Sequence, residues 1–122
     1  MANLINESLI IKTFLDGESG TNYQEKLAYS GLAETWTKNS SGKVVIAALG
    51  NADLAFNGIV NAKLVFIKLA KAGYFKLNGG TEEIPCFPYA ILRGDAINDI
   101  DSINVVDTAN DTDNTIDFLI LA

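Results

Sequence analysis

Val44-Val45-Ile46-Ala47-Ala48-Leu49, Leu64-Val65-Phe66-Ile67 and Phe118-Leu119-Ile120-Leu121-Ala122 are apolar at every position. Their β-branched and aromatic residues suit strands, and a strand sends successive side chains to opposite faces. A half-exposed strand alternates apolar and polar residues, whereas a continuous apolar run asks for burial on both faces. Whichever parity meets the core, each run sends large apolar side chains the other way. The pairs are Val44 and Ile46 or Val45 and Leu49, Leu64 and Phe66 or Val65 and Ile67, Phe118 and Ile120 or Leu119 and Leu121. Six such side chains left in water forfeit on the order of 9–18 kcal/mol, the scale of a domain's whole net stability. Long loops of the same chain or a neighbouring subunit must cover the second face.

Around these runs the chain reads as short strands separated by turn chemistry. Residues 8–14, 23–30 and 33–37 precede a loop signal at Lys38-Asn39-Ser40-Ser41-Gly42, and 43–49 is the first doubly apolar strand. Residues 51–62 read either as a short helical turn or as a loop carrying Leu54, Phe56, Ile59 and Val60 inward. Residues 63–69 and 74–78 read as strands, and Asn78-Gly79-Gly80 is a hairpin signal, since Asn and Gly adopt positive φ at little cost. Ile84–Arg93 follows as one strand. Pro85 and Pro88 remove ladder donors, which places at least its first half at a sheet edge. Residues 100–106 alternate cleanly, 107–114 is a polar linker and 115–121 is the last strand. Eight or so strands and almost no helix predict an all-β fold. The expected form is an antiparallel β-sandwich of jelly-roll type, one domain over 1–122.

At 122 residues, 48% hydrophobic and 20% charged, the composition is globular with room for one core. The net charge of −6 argues against nucleic acid and anionic membranes as partners, because both are held by clustered Lys and Arg. All nine basic residues lie at or before Arg93, and seven aspartates follow it, so an acidic edge or end is expected. The single cysteine, Cys86, allows no intrachain disulfide.

The chain has no histidine, which removes the usual neutral-pH base and the Ser–His and Cys–His pairs. Cys86, between prolines in an apolar strand, reads as a small hydrophobe. The acid pairs Glu82-Glu83, Asp99 with Asp101 and Asp111 with Asp113 read as solvated loops rather than the cleft pair a glycosidase needs. Asp107–Asp117 invites a calcium test, because Asp111, Asp113, Thr115 and Asp117 supply oxygens at alternate positions. The glycine and terminal glutamate of an EF-hand loop are missing. No cofactor is expected. Tyr23, Tyr29, Trp36, Tyr74, Phe75, Phe87 and Tyr89 would suit either a core or a sugar platform.

The stretch Leu64–Arg93, LVFIKLAKAGYFKLNGGTEEIPCFPYAILR, is followed by the Ser102-Ile103-Asn104-Val105-Val106 strand and an apolar terminal strand. This C-terminal half resembles small all-β virion accessory proteins of tailed bacteriophages, namely capsid cement or decoration proteins and short tail or fibre components. The resemblance implies a binding module without catalysis, located in the virion and assembled in a reducing bacterial cytoplasm. Its partners would be other copies of itself or larger coat or tail proteins. No functional residue transfers position by position.

The residues expected to carry assembly are Val44, Ile46, Leu64, Phe66, Phe118 and Ile120, with the opposite parity of each run held open. Met1–Ser8 is a candidate exchange arm. The alternative is a carbohydrate-binding adhesion module, which requires a solvent-facing aromatic strip.

Overall fold

The computed structural model describes residues 3–5, 8–14, 23–30, 34–95 and 99–122. The chain divides into two compact units, Met1–Trp36 and Thr37–Ala122. The first holds β1 (Asn3–Ile5), β2 (Ser8–Phe14), β3 (Tyr23–Ser30) and β4 (Glu34–Trp36). In it β1 pairs with β4 and β2 with β3, both antiparallel. Asn3–Ile5 of the expected exchange arm is thus paired within its own chain, and residues 1–2 and 6–7 lie outside the described set.

The second unit holds β5 (Asn39–Ile46), β6 (Asn51–Asp53), β7 (Leu64–Leu69), β8 (Gly73–Leu77), β9 (Ile84–Pro85), β10 (Tyr89–Arg93), β11 (Ile103–Asp107) and β12 (Asn114–Leu121). These eight strands form two packed four-stranded antiparallel sheets, ordered β10-β7-β12-β5 and β6-β11-β8-β9. The pairing is nested: β5 with β12, β6 with β11, β7 with β10 and β8 with β9. Successive pairs fall in alternate sheets, so the unit is a long antiparallel ribbon folded over on itself.

Alternation along each strand fills the space between the sheets. One sheet contributes Ile46, Val65, Ile67, Leu69, Ile116, Phe118 and Ile120, and the other contributes Phe75, Ile103 and Val105. The 54–62 segment closes one end as a loop. Leu54, Phe56, Ile59 and Ala62 are buried, while turns with positive φ at Asn57, Gly58 and Asn61 carry the backbone round. Val60, expected inward with them, is 65% exposed.

Two local expectations are corrected. Residues 39–42, read as loop, are the first half of β5, paired with Phe118–Leu121. The ladder to β12 satisfies their backbone, and two side-chain properties suit them to the place. The buried Ser40 hydroxyl donates to the Ala55 carbonyl and accepts from the Asn57 amide at 2.9 Å. Gly42 leaves room for the Phe118 ring, whose Cε1 would lie 3.4 Å from an added Cβ. The second correction concerns Ile84–Arg93, which is not one strand. It splits into β9 and β10, the edge strands of opposite sheets. The edge position follows from Pro85 and Pro88, and the crossover between them buries Cys86.

The Asn78-Gly79 turn forms as expected, with φ of 50° and 71° and Gly80 N–H donating to Leu77 O at 2.8 Å. The Asn78 side chain ties this turn to the next loop. Its amide donates to Asp99 O at 2.7 Å, and its oxygen accepts from the N–H groups of Asp101 and Ser102.

Gly73 sits where the chain passes from one sheet to the other. A Cβ there would lie 2.6 Å from Leu69 Cδ2 and 2.7 Å from Val106 O. The carbonyl belongs to the paired strand and cannot step aside, so Gly73→Ala should destabilise by about 1–3 kcal/mol. A urea midpoint equal to the wild type would contradict that close approach.

Candidate docking surface

The two sheets differ on their outer faces. On β6-β11-β8-β9 the outward residues include Asn51, Asp53, Asn104, Tyr74 and Lys76, because Ala52, Ile103, Val105 and Phe75 point inward. The Asn104 amide donates to Asp53 Oδ1 at 2.8 Å and to Asn51 Oδ1 at 3.2 Å. Lys76 Nζ lies 5.9 Å from the centre of the Tyr74 ring. Val106, half-buried between Asn51 and Tyr74, is the apolar exception on this mostly polar face.

The outer face of β10-β7-β12-β5 is apolar at its centre. The register sets three rows across the four strands: Tyr89–Lys68–Asp117–Lys43, Ile91–Phe66–Leu119–Ser41 and Arg93–Leu64–Leu121–Asn39. Beyond the first row Val45 pairs with Thr115 and is 59% exposed. Tyr89 and Ile91 are half exposed, at 50% and 47%, while Phe66 and Leu119 are half-buried. The Phe66 and Tyr89 rings stack at 6.3 Å between centroids and 27° between planes. Lys43 Nζ lies 3.7 Å from Asp117 Oδ1, an exposed pair worth little in stability. Leu64 and Leu121 occupy outward positions yet are already buried, at 6% and 7%. Among the described residues the apolar surface of this face is carried by Val45, Phe66, Tyr89, Ile91 and Leu119, while Leu49, Val60 and Phe87, exposed by 59%, 65% and 52%, lie outside its strands.

Of the six residues expected to carry assembly, Leu64 and Phe66 lie on this face. Ile46, Phe118 and Ile120 are buried in the core, and Val44 is packed against it. The opposite parity is the outward one in β5 and β12, except that Leu49, expected to share it with Val45, lies beyond β5 in the 47–50 turn with φ of 59°. Lys43 and Asp117 impose it, because a parity that buried them would remove charges from water.

Other candidate chemistry falls elsewhere. Cys86 is 2% exposed, and burial pushes its thiol up to about 11, so the thiolate that would react is scarce at neutral pH. Glu82, Asp99 and Asp111 are exposed on separate loops. In the segment tested for calcium, Asp111 is bonded to Lys71 Nζ at 2.9 Å and Asp117 pairs with Lys43. Among the described residues no group of three or more His, Cys, Asp or Glu side chains is placed to hold a metal ion, and no helix is long and apolar enough to cross a membrane.

Asp107 has a structural post. Its carboxylate, 2% exposed, accepts from Leu49 N–H at 2.8 Å, the Asn114 amide at 2.9 Å and Ala109 N–H at 3.3 Å. Asn114 in turn accepts from Lys71 N–H at 3.0 Å and donates to the Lys71 and Ala72 carbonyls. Three connections between the sheets, 47–50, 70–72 and 108–113, are clasped by these two side chains.

Comparison with protein-family models, with curated proteins and with solved structures finds no match.

Proposed function

We propose that this chain is a non-enzymatic structural protein that oligomerises or docks on a larger assembly, a virion accessory of tailed bacteriophages serving as capsid cement, decoration or tail component. The observation that carries this reading is the contrast between the sheets: one has a hydrogen-bonded polar outer face, the other an apolar centre ringed by charges. Apolar patches of this kind on small soluble domains mark interaction sites. The finer fold belongs to the same proposal. Counted from β5, the sheet orders are 1-8-3-6 and 2-7-4-5, which supports a jelly roll, an architecture recurrent in viral capsid and lectin domains.

A second reading, a carbohydrate-binding adhesion module, is favoured by the Phe66–Tyr89 stack, with Phe87, two residues before Tyr89 in sequence, 52% exposed. Two assays separate the readings. Co-sedimentation with purified phage capsids and tails should retain the chain and should weaken with Phe66→Ser, while a broad glycan panel should give no signal. Glycan binding lost in Tyr89→Ala, with no retention by particles, would reverse the assignment.

A further inference from the structure

Resting on the docking role of the β10-β7-β12-β5 face, we infer that its partner is a second copy of this chain, packed face to face about a twofold axis that runs parallel to the strands between β7 and β12. An isologous interface must be complementary to itself, and the register makes this face so. Rotation about that axis lays β7 over β12 of the second copy without shifting either along its length. Lys68 and Asp117 are cross-strand partners, so Lys68 falls on Asp117 of the second copy, and Asp117 on Lys68, in two equivalent contacts. In the next row Phe66 falls on Leu119 and Leu119 on Phe66. At the outer strands Tyr89 meets Lys43, which suits a cation over a ring.

The other in-plane axis, perpendicular to the strands, fails the same test. Centred on the charged row it sets Lys68 on Lys68 and Asp117 on Asp117. Centred on the Phe66–Leu119 row it drives both charges onto Leu64 and Leu121. Of the two, the parallel axis alone sets opposite charges together and Phe66 on Leu119, with Ile91 falling on Ser41 at the outer strands.

The face is small. Leu64 and Leu121 of the third row are already buried, so four strands spaced ~4.8 Å and the two remaining rows of same-side residues span on the order of 250 Å², about a third of the area each partner commits in a standard interface. Twist of the two sheets, which turns packed sheets by about 30°, keeps contact best at the central rows. The dimer should therefore be weak and form only at high protein concentration.

Charge reversal in the full chain tests this, by sedimentation velocity at low salt with circular dichroism to establish folding. Lys68→Glu alone and Asp117→Lys alone should each lose self-association by at least tenfold, since each repeats a like-charge contact twice. Mixed in equal amounts, the two variants should associate with each other, because both contacts in the mixed pair are then opposite in sign. Folded variants that dimerise like the wild type, or a mixture that stays monomeric while the wild type dimerises, would overturn this geometry and leave the docking role standing. A wild type that binds purified particles yet stays monomeric at every concentration would also overturn the second-copy partner. Failure of both association and particle binding would remove the docking role itself.

Discussion

Ile120→Asp should abolish folding of the sandwich, while Leu119→Asp, one residue away, should leave it folded. Ile120 has no exposed surface and sits opposite Ser40 and Val65 in the middle of its sheet. Removing the buried side chain alone costs about 2–5 kcal/mol. A carboxylate placed there has no cation in reach among its ladder neighbours and adds a desolvation penalty of several kcal/mol. The sum is on the scale of a domain's net stability of about 5–15 kcal/mol. Leu119 points to the other face, where a carboxylate reaches water. Thermal unfolding followed by circular dichroism should show no cooperative transition for the first variant and a clear one for the second. The reverse order would mean that the two faces of β12 are exchanged.

Asp107→Ala should destabilise by about 2–4 kcal/mol, because it leaves buried donors at Leu49 and Asn114 with fewer partners. The same clasp makes stability depend on acid. Burial pushes the Asp107 carboxyl up, but the Leu49 N–H, the Asn114 amide and the N–H groups of Ala109 and Asn110 outweigh it and hold the group below its ordinary value of 3.8. A carboxyl depressed in the folded state contributes stability that is fully present above its unfolded pKa and lost as pH falls through the folded one. Urea midpoints should therefore hold from pH 7 to 5 and fall below about pH 4. Asp111 is likewise held below its ordinary value, by the Lys71 hydrogen bond and the Thr112 N–H. Its carboxylate is largely exposed, and such pairs contribute little. Asp107→Ala should thus flatten most of the acid dependence, and a variant that keeps the full slope would assign it elsewhere.

Much of the fold is legible in the residues. The strand character of 64–69 follows from its β-branched and aromatic centre, the turn at 78–79 from Asn-Gly, and the edge placement of Pro85 from its missing donor. The alternation over 103–107 is the pattern of a half-exposed strand. Local chemistry misled at 39–42, where Asn, Ser and Gly are turn formers by propensity but are held in β5 by a ladder to the far end of the chain. Such pairing, across some eighty residues, leaves no local trace.

Site parity was only partly readable. Within the apolar runs nothing separates Phe118 from Leu119. The deciding signal lies just outside them, in Lys43, Lys68 and Asp117, which fix the outward parity of β5, β7 and β12. Tyr89 and Ile91 could not be assigned to the same face without knowing that β10 pairs with β7. Their own strand reads as one half of a longer run that the structure divides between sheets.

Light scattering of the full chain across a concentration series, wild type beside Phe66→Ser, bears most directly on the apolar outer face as a docking surface. Phe66 is partly buried and stacks on Tyr89, so its replacement should cost some stability, and circular dichroism should show that the variant remains folded at the temperature of the measurement. The weight-average mass of the wild type should rise with concentration, and that of the variant should stay near 13.1 kDa. A wild type that remains a single chain throughout and is not retained by purified capsids or tails would contradict the account.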